Sequence, residues 1–498
     1  MNKSVILVID IGTTNIKCFA FNSEGQIIGK FAKSIPLPHT PPDQIEYNPD
    51  WIWVTVRNLI DQAVTAQSYS KDDIVSLGVT TQRASTLFWD RNSGTPVCNA
   101  ISWQDIRSRD ICCELNESEA GTAIKKRIGA PVETYHSLGK IIWLFRNNPG
   151  FLKKAIKNQL CFGNLDSWVV WKLTGGRLHV SDNSNAGGSH MVSLERQEWD
   201  YDLLDNLGIP SNILPQIVPS SGFLGYTDPD ALGMEVPLCS LVADQHSSLF
   251  ALNCLSAGMS KCTFGTGSFV LTNIGSRPVP FSKAAWNIDG HITYKLEGSS
   301  KGTGLMLRWL FEKIFKIDIE SAGSMASEVN DSQGVCVVPA LSGLGSPFFD
   351  ANAVGLVIGL RTGVDRRHVV RACLESIAFS TYAIIREMQN TSDISLNCLR
   401  VDGGMSRNDV LMQLEADIIG VPVERAFVTE STGAGAAYLA GLETGVWKID
   451  DLERLWRFDK VFDPKMHREK ALESFERWLQ AVSISRKWGE DSGRQICS

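Results

Sequence analysis

Residues 4–17 read Ser-Val-Ile-Leu-Val-Ile-Asp-Ile-Gly-Thr-Thr-Asn-Ile-Lys. The apolar run from Ser4 to Asp10 predicts a buried strand, and Asp-Ile-Gly-Thr-Thr predicts a glycine-containing turn delivered at its end. The same sentence is written again half a chain later. Ser260 to Gly267 predicts a strand ending in Phe-Gly-Thr-Gly, and Phe269 to Ile274 predicts its return strand. An internal repeat of strand, Gly-Thr turn and strand points to an α/β fold in two related lobes.

Outward from residue 17, Ser23-Glu24-Gly25 turns the chain into a short strand, Gln26 to Ala32. Asn48 to Gln67 carries apolar residues at helical spacing with Pro49 near its start, which predicts a helix. Strands follow at Ile74 to Val79 and Thr86 to Trp89, and Tyr135 to Thr174 reads as mostly helical with a break at Asn148-Pro149-Gly150. In the second half, Leu238 to Ala243 predicts a strand ending in Asp244, and Gln245 to Leu255 a helix. Strands are then expected at His291 to Glu297, Val335 to Pro339, Leu399 to Val401 and Pro422 to Glu424. Helices are expected at Gly304 to Phe315, Arg366 to Met388, Arg407 to Ile419, Gly433 to Leu442 and Ala471 to Val482, with a frayed polar tail from Trp488 to Ser498.

The chain has 498 residues, enough for two domains that each bury a core. The expected division is residues 1–247 and 248–498, with a cleft between the lobes. A formal net charge of −7 argues against nucleic acid as partner, since phosphate-backbone binding rests on Lys and Arg. No stretch reaches the roughly 18 uninterrupted apolar residues of a membrane helix, and the N-terminus has no signal-peptide pattern, so a cytoplasmic location is expected. The twelve Cys include no CxxC pair and no His at metal-ligand spacing, and read as reduced core residues, adjacent Cys112 and Cys113 included.

Three glycine-rich turns follow strands: Asp10 to Thr14, Phe264 to Ser268, and Asp402 to Asn408. Glycine lets a backbone approach phosphate, and Thr or Ser adds donors without bulk. One such turn is ordinary in an α/β protein; three with hydroxyls or carboxylates attached point to a nucleotide. The chain has neither a GxxxxGK[ST] loop nor a GxGxxG opening a helix, so the P-loop and Rossmann ways of holding one are excluded. Asp244, at a strand end, is a candidate general base and equally a natural helix N-cap.

Ordered matches along nearly the whole chain resemble the FGGY carbohydrate kinases, and among them a divergent branch similar to the glycerol kinases. They are Asp10-Ile-Gly-Thr-Thr-Asn-Ile-Lys17, Thr81-Gln82-Arg83, Ser102-Trp-Gln-Asp-Ile-Arg107, Tyr135 to Trp143, Asp182-Asn-Ser-Asn-Ala186, Ala243-Asp-Gln245, Phe264-Gly-Thr-Gly267, Asp402-Gly-Gly404 and Gly433 to Gly441. The resemblance implies two ribonuclease-H-like lobes of the actin/Hsp70 type, with ATP and Mg²⁺ as cofactors and a homodimer as a common state. It implies Asp244 as general base, Asp10 beside the nucleotide-bound Mg²⁺, and Thr13, Thr14 and Lys17 as a first phosphate loop. Thr266 and Gly267 would form the second loop, Gly304, Arg308, Gly404 and Asn408 the nucleoside contacts, and Arg83, Trp103, Tyr135, Asp244 and Gln245 the acceptor site. On this reading the chain moves the γ-phosphoryl of ATP to a hydroxyl of glycerol or a related small polyol. A pentulose or larger-polyol kinase is the nearest alternative, and a non-catalytic nucleotide-binding protein of the same fold a remote one.

Three departures from the glycerol kinase pattern stand out. Ala84 occupies a position where those enzymes typically carry Glu, which removes a hydroxyl acceptor and is expected to leave space. Arg308 stands where Gln is usual. Gly225 to Pro237 holds an acidic stretch, Thr227-Asp-Pro-Asp230, in place of the Arg-bearing loop that binds fructose 1,6-bisphosphate in some bacterial enzymes.

Overall fold

The structure is a computed structural model that describes residues 4–36, 41, 43–65, 69–265, 267–300, 302–318, 321–427 and 430–491. Two compact units divide the chain. Unit 1 comprises Met1–Asn253, Gly275–Lys295 and Glu430–Trp456; unit 2 comprises Cys254–Ile274, Leu296–Thr429 and Arg457–Ser498.

Unit 1 is built on β1 (Val5–Ile11), β2 (Asn15–Phe21), β3 (Ile27–Ser34), β4 (Ile74–Thr81), β5 (Ser221–Tyr226) and β6 (Pro237–Ala243). β2 runs antiparallel to both β1 and β3, whereas β4 is parallel to β1 and to β6. Every residue of β1 is buried, as its unbroken apolar run requires of a strand covered on both faces. The helix Pro49–Thr65 makes the crossover from β3 to β4, with Ile52, Val56, Leu59, Ile60 and Ala63 turned inward. Its sequence-expected end, Gln67, lies outside the described residues.

The small-residue helix Ser431–Glu443 is also part of unit 1. Ser240 Oγ donates to Ala436 O at 2.8 Å and Ser221 Oγ to Leu439 O at 2.7 Å, which ties it to β6 and β5. A Cβ added at Gly435 would sit 1.9 Å from Ser247 O, so glycine is what lets this helix lie against Asp244–Ala251. A second apolar cluster, around Phe88, Ile141, Leu144 and Phe162, forms beneath the helices Ser137–Asn147 and Pro149–Ile156.

Unit 2 repeats the plan. β7 (Met259–Phe264) pairs antiparallel with β8 (Ser268–Gly275) and parallel with β9 (Cys398–Asp402), and β9 pairs parallel with β10 (Val423–Ala426). β11 (Phe458–Phe462) closes that edge antiparallel. The core helix Arg366–Ser392 is, among the described residues, the one helix long and apolar enough to cross a membrane, and 89% of its apolar window is buried within the fold.

Several expectations shift. The stretch read as helical between Tyr135 and Thr174 contains a strand, Leu160–Gly163, antiparallel to Leu87–Asp90. The expected helix from Arg407 starts at Asp409, because Gly404–Arg407 forms a 3₁₀ turn and Asn408 caps the helix, accepting from Leu411 N at 3.1 Å. The helix expected over Gly304 to Phe315 is α-helical only at Thr303–Arg308 and π-helical over Trp309–Phe315. The final helix runs Arg468–Asp491, through the beginning of the expected tail; residues 492–498 lie outside the described residues.

Candidate active site

In unit 1 the β1–β2 turn is closed by Gly12 N donating to Asn15 O at 3.0 Å. It is fastened by residues from three other segments. Gln82 Nε2 donates to Gly12 O at 3.2 Å, Trp103 Nε1 to Thr13 Oγ1 at 3.1 Å, and Tyr47 OH to Thr13 O at 3.4 Å. Thr14 is exposed, with its hydroxyl accepting from Asn15 Nδ2 at 3.0 Å. A turn fastened in this way that presents an exposed threonine hydroxyl is suited to an anion.

Asp10 is the penultimate residue of β1, next to this turn, and is 5% exposed. Burial, with the nearby carboxylates of Asp244 and Glu430, pushes its carboxyl up to about 7 against the opposing pull of Lys17. Lys17 Nζ pairs with Glu430 Oε2 at 2.7 Å, and Lys30 pairs with the other oxygen of Glu430. Asp10, Lys17, Glu430 and Asp244 thus belong to one electrostatic neighbourhood. Glu430 was not legible as part of it, being more than 400 residues from Lys17.

Asp244 is the first residue of the helix Asp244–Ala251, not its cap; Ala243 holds the capping position and makes no side-chain bond there. What fixes this strand-to-helix corner is the segment Asp182–Ala186. Ala243 N donates to Ser184 Oγ at 2.8 Å, and that hydroxyl donates to Asp182 Oδ2 at 2.7 Å. Asp182 is fully buried, caps the helical turn Asn183–Ala186, and also accepts from Ser220 Oγ at 2.6 Å. Its supporting role is a tertiary fact that the motif alone did not carry.

Arg83, Trp103 and Tyr135 come together. The Trp103 and Tyr135 rings meet edge to face with centroids 6.0 Å apart, and the Arg83 guanidinium lies 5.7 Å from the Tyr135 ring centre. Gln245 follows Asp244 and donates its backbone N–H to Asp244 Oδ1 at 2.7 Å. Ala84 departs from expectation in its surroundings. It is fully buried in the left-handed backbone region at φ 56°, and its carbonyl accepts from Lys140 Nζ at 2.9 Å. Its methyl group is enclosed by protein, so the smaller side chain leaves no open space.

In unit 2, Gly403 has φ 90°, and a Cβ there would lie 2.4 Å from Phe264 O. Glycine therefore lets the Asp402-Gly-Gly turn rest against the end of β7. Thr263 Oγ1 donates to Asp402 Oδ1 at 2.6 Å and accepts from Lys261 Nζ at 2.7 Å, knitting the two strand ends together. Gly267 and Gly404 flank this junction, and Gly323 packs against the Asn408 side chain. Thr266 lies outside the described residues. Gly304 is buried in the helix Thr303–Arg308, while Arg308 at its end is 69% exposed and 3.9 Å from Glu312.

Residues 5–251 match the N-terminal domain, and residues 260–444 the C-terminal domain, of the FGGY family of carbohydrate kinases. The chain belongs to this family and is a phosphotransferase with an alcohol acceptor. It is 40% identical to glycerol kinase 2 of Thermotoga maritima over 97% of this chain and 99% of that one. Identity to the glycerol kinase of Caldanaerobacter subterraneus subsp. tengcongensis is 39%, over 98% and 99%. The crystal structure of Plasmodium falciparum glycerol kinase with ADP superposes with a TM-score of 0.92 at 31% identity, covering 97% of this chain and 98% of that one. A xylulose kinase from Lactobacillus acidophilus shares the fold at a TM-score of 0.86 and 21% identity.

Proposed function

We propose that the chain transfers the γ-phosphoryl group of ATP to a hydroxyl of glycerol or a closely related small polyol, with Asp244 as general base. The observation that carries this reading is the placement of Asp244. Its carboxylate sits at a strand-to-helix corner braced by Ser184 and Asp182, within electrostatic reach of Asp10. A carboxylate so fixed accepts the hydroxyl proton and aims the oxygen at phosphorus, two contributions that phosphoryl transfer needs.

Thr13, Thr14 and Lys17 form the first phosphate loop in this reading, and Thr266 and Gly267 the second. Gly304, Arg308, Gly404 and Asn408 meet the nucleoside; Arg83, Trp103, Tyr135 and Gln245 meet the acceptor. Residues 1–247 then serve the acceptor and first loop, and residues 248–498 the nucleotide. Among the described residues no three His, Cys, Asp or Glu side chains gather as a metal site. A Mg²⁺ ion held mainly by nucleotide phosphates and one carboxylate fits such a chain, and Asp10 is the fitting carboxylate: buried beside two other acids, it gains from a nearby cation. When bound, the ion supplies charge neutralisation at the phosphates.

Identity of about 39–40% over the full length to glycerol kinases supports glycerol itself as acceptor, and the enclosed methyl of Ala84 gives a bulkier ketose no added room. The test is ADP release with glycerol, larger polyols and pentuloses as acceptors, repeated with Asp244→Asn. Glycerol-dependent release that falls about 10²- to 10⁴-fold in the variant is the expected result. Turnover confined to pentuloses would overturn the acceptor assignment, and unchanged turnover in the variant would overturn the base.

A further inference from the structure

Arg83, Trp103 and Tyr135 come from three segments that lie outside the helices and strands, so something other than regular backbone pairing must fix them against one another. At their junction stands Lys140, which is fully buried. Its ammonium donates to Ala84 O and to Tyr135 O, each at 2.9 Å. The first carbonyl belongs to the residue after Arg83, the second to Tyr135 itself. The carboxylate whose charge acts most on the ammonium is that of Asp105, two residues after Trp103 and also fully buried. One cation thus answers to all three segments.

Lysine is almost never fully buried without compensation, because its charge is costly to remove from water. Burial pulls the Lys140 ammonium down to about 7 against the opposing pull of Asp105. Two neutral carbonyls are modest compensation, so packing alone would be better served by an apolar side chain of similar length. An apolar side chain, however, could not hold Ala84 and Tyr135, which come from distant parts of the chain. Ala84 needs holding, since its φ of 56° lies in the left-handed region that an L side chain rarely adopts. The base of the clamp is itself fixed. Lys140 sits in the first turn of the helix Ser137–Asn147, where a Cβ added at Gly139 would meet Cys112 Sγ at 2.8 Å and Ser137 Oγ donates to Asn164 Oδ1 at 2.9 Å.

We infer that Lys140 is a positioning residue for the acceptor: its ammonium clamps the Arg83–Ala84 and Tyr135 segments to one another, so that the acceptor wall is set before substrate arrives. The inference rests on the kinase reading above and names a residue that serves its acceptor site without touching the substrate. An unclamped wall is in its binding geometry only part of the time, and apparent affinity falls by that fraction. The test is steady-state kinetics and thermal melting of the parent, Lys140→Met and Lys140→Gln, with ATP and with glycerol or whichever polyol or pentulose the parent turns over. Lys140→Met should raise the acceptor KM about ten-fold or more, the effect of losing one charge-assisted hydrogen bond. The KM for ATP and the kcat at saturating acceptor should stay within about two-fold, because saturating acceptor draws the wall back into place. Lys140→Gln, which keeps two N–H donors on a shorter side chain, should fall between parent and Lys140→Met. An acceptor KM that does not move in Lys140→Met, or moves no more than the KM for ATP, overturns the inference. So does a Lys140→Met chain that no longer folds, since Lys140 would then be a pillar of the whole unit. In each of these cases the kinase reading stands, because the parent still turns over. A parent silent with every acceptor overturns both.

Discussion

At the scale of single residues, Asp10 is the group whose chemistry is most altered by its surroundings. Its carboxyl titrates near 7 folded against 3.8 in an unperturbed chain, chiefly through burial. Between those values the folded state binds more protons than the unfolded one, so this residue makes stability fall as pH rises from about 4 to 7, and the penalty is complete above that. The slope is at most about 1.4 kcal/mol per pH unit. Asp166 and Glu415, also buried and raised to about 7 and about 8, act in the same direction, so only a difference isolates Asp10. Urea unfolding of the parent and of Asp10→Asn at pH 5 and pH 8 is the measurement. Asp10→Asn should lose less stability than the parent across that interval; equal losses would mean that Asp10 ionises freely in the fold. In the proposed reaction the cost borne near neutral pH would have a counterpart, since a cation beside Asp10 would favour its ionised carboxylate.

Among elements, the corner between β6 and the helix Asp244–Ala251 is held by a chain of hydrogen bonds, from Ala243 N through Ser184 to Asp182, instead of a side-chain cap. Ser184→Ala strips the Ala243 amide of its acceptor in a buried place, which costs about 1–3 kcal/mol. The same change loosens the Asp244 backbone, so kcat should fall while the KM for nucleotide holds steady. Unfolding curves and steady-state kinetics check the two halves of the claim, and a variant with unaltered kcat would reduce the network to plain structural support. The segment Asp182–Ala186 was legible as a motif but not as a brace, because the brace exists only when β6 arrives beside it, some sixty residues on. The strand Leu160–Gly163 was illegible for a related reason. A four-residue apolar run between Asn158 and Asn164 fits a buried strand or a helical turn equally, and its partner Leu87–Asp90 is non-local. By contrast, β1, β2 and the turn between them are local in sequence, so an unbroken apolar run and Gly12 sufficed to announce them.

For the molecule as a whole, the repeat seen first as two Gly-Thr turns is real in three dimensions: each unit has an antiparallel pair at the turn and a parallel neighbour on the other side of its first strand. The repeat was readable because each copy is short and contiguous. What it brings together in unit 2 was not, since the Gly403 turn and the β7 end are separated by well over a hundred residues. The proposed division of labour assigns this junction to the nucleotide, and Gly403 offers a way to test it. An alanine there would place Cβ 2.4 Å from Phe264 O and hold an L side chain at φ 90°, so the turn must withdraw from the strand end. Gly404→Ala is the matched control for folding, because an added Cβ meets nothing within 4 Å at that position. Gly403→Ala should therefore lower the melting temperature where Gly404→Ala does not. It should also raise the KM for ATP about ten-fold or more, the effect of roughly 1.4 kcal/mol of lost binding, with far less change in the KM for the acceptor, whose proposed contacts all belong to unit 1. A rise in the acceptor KM as large as that for ATP would show that the two functions are not apportioned between the two units.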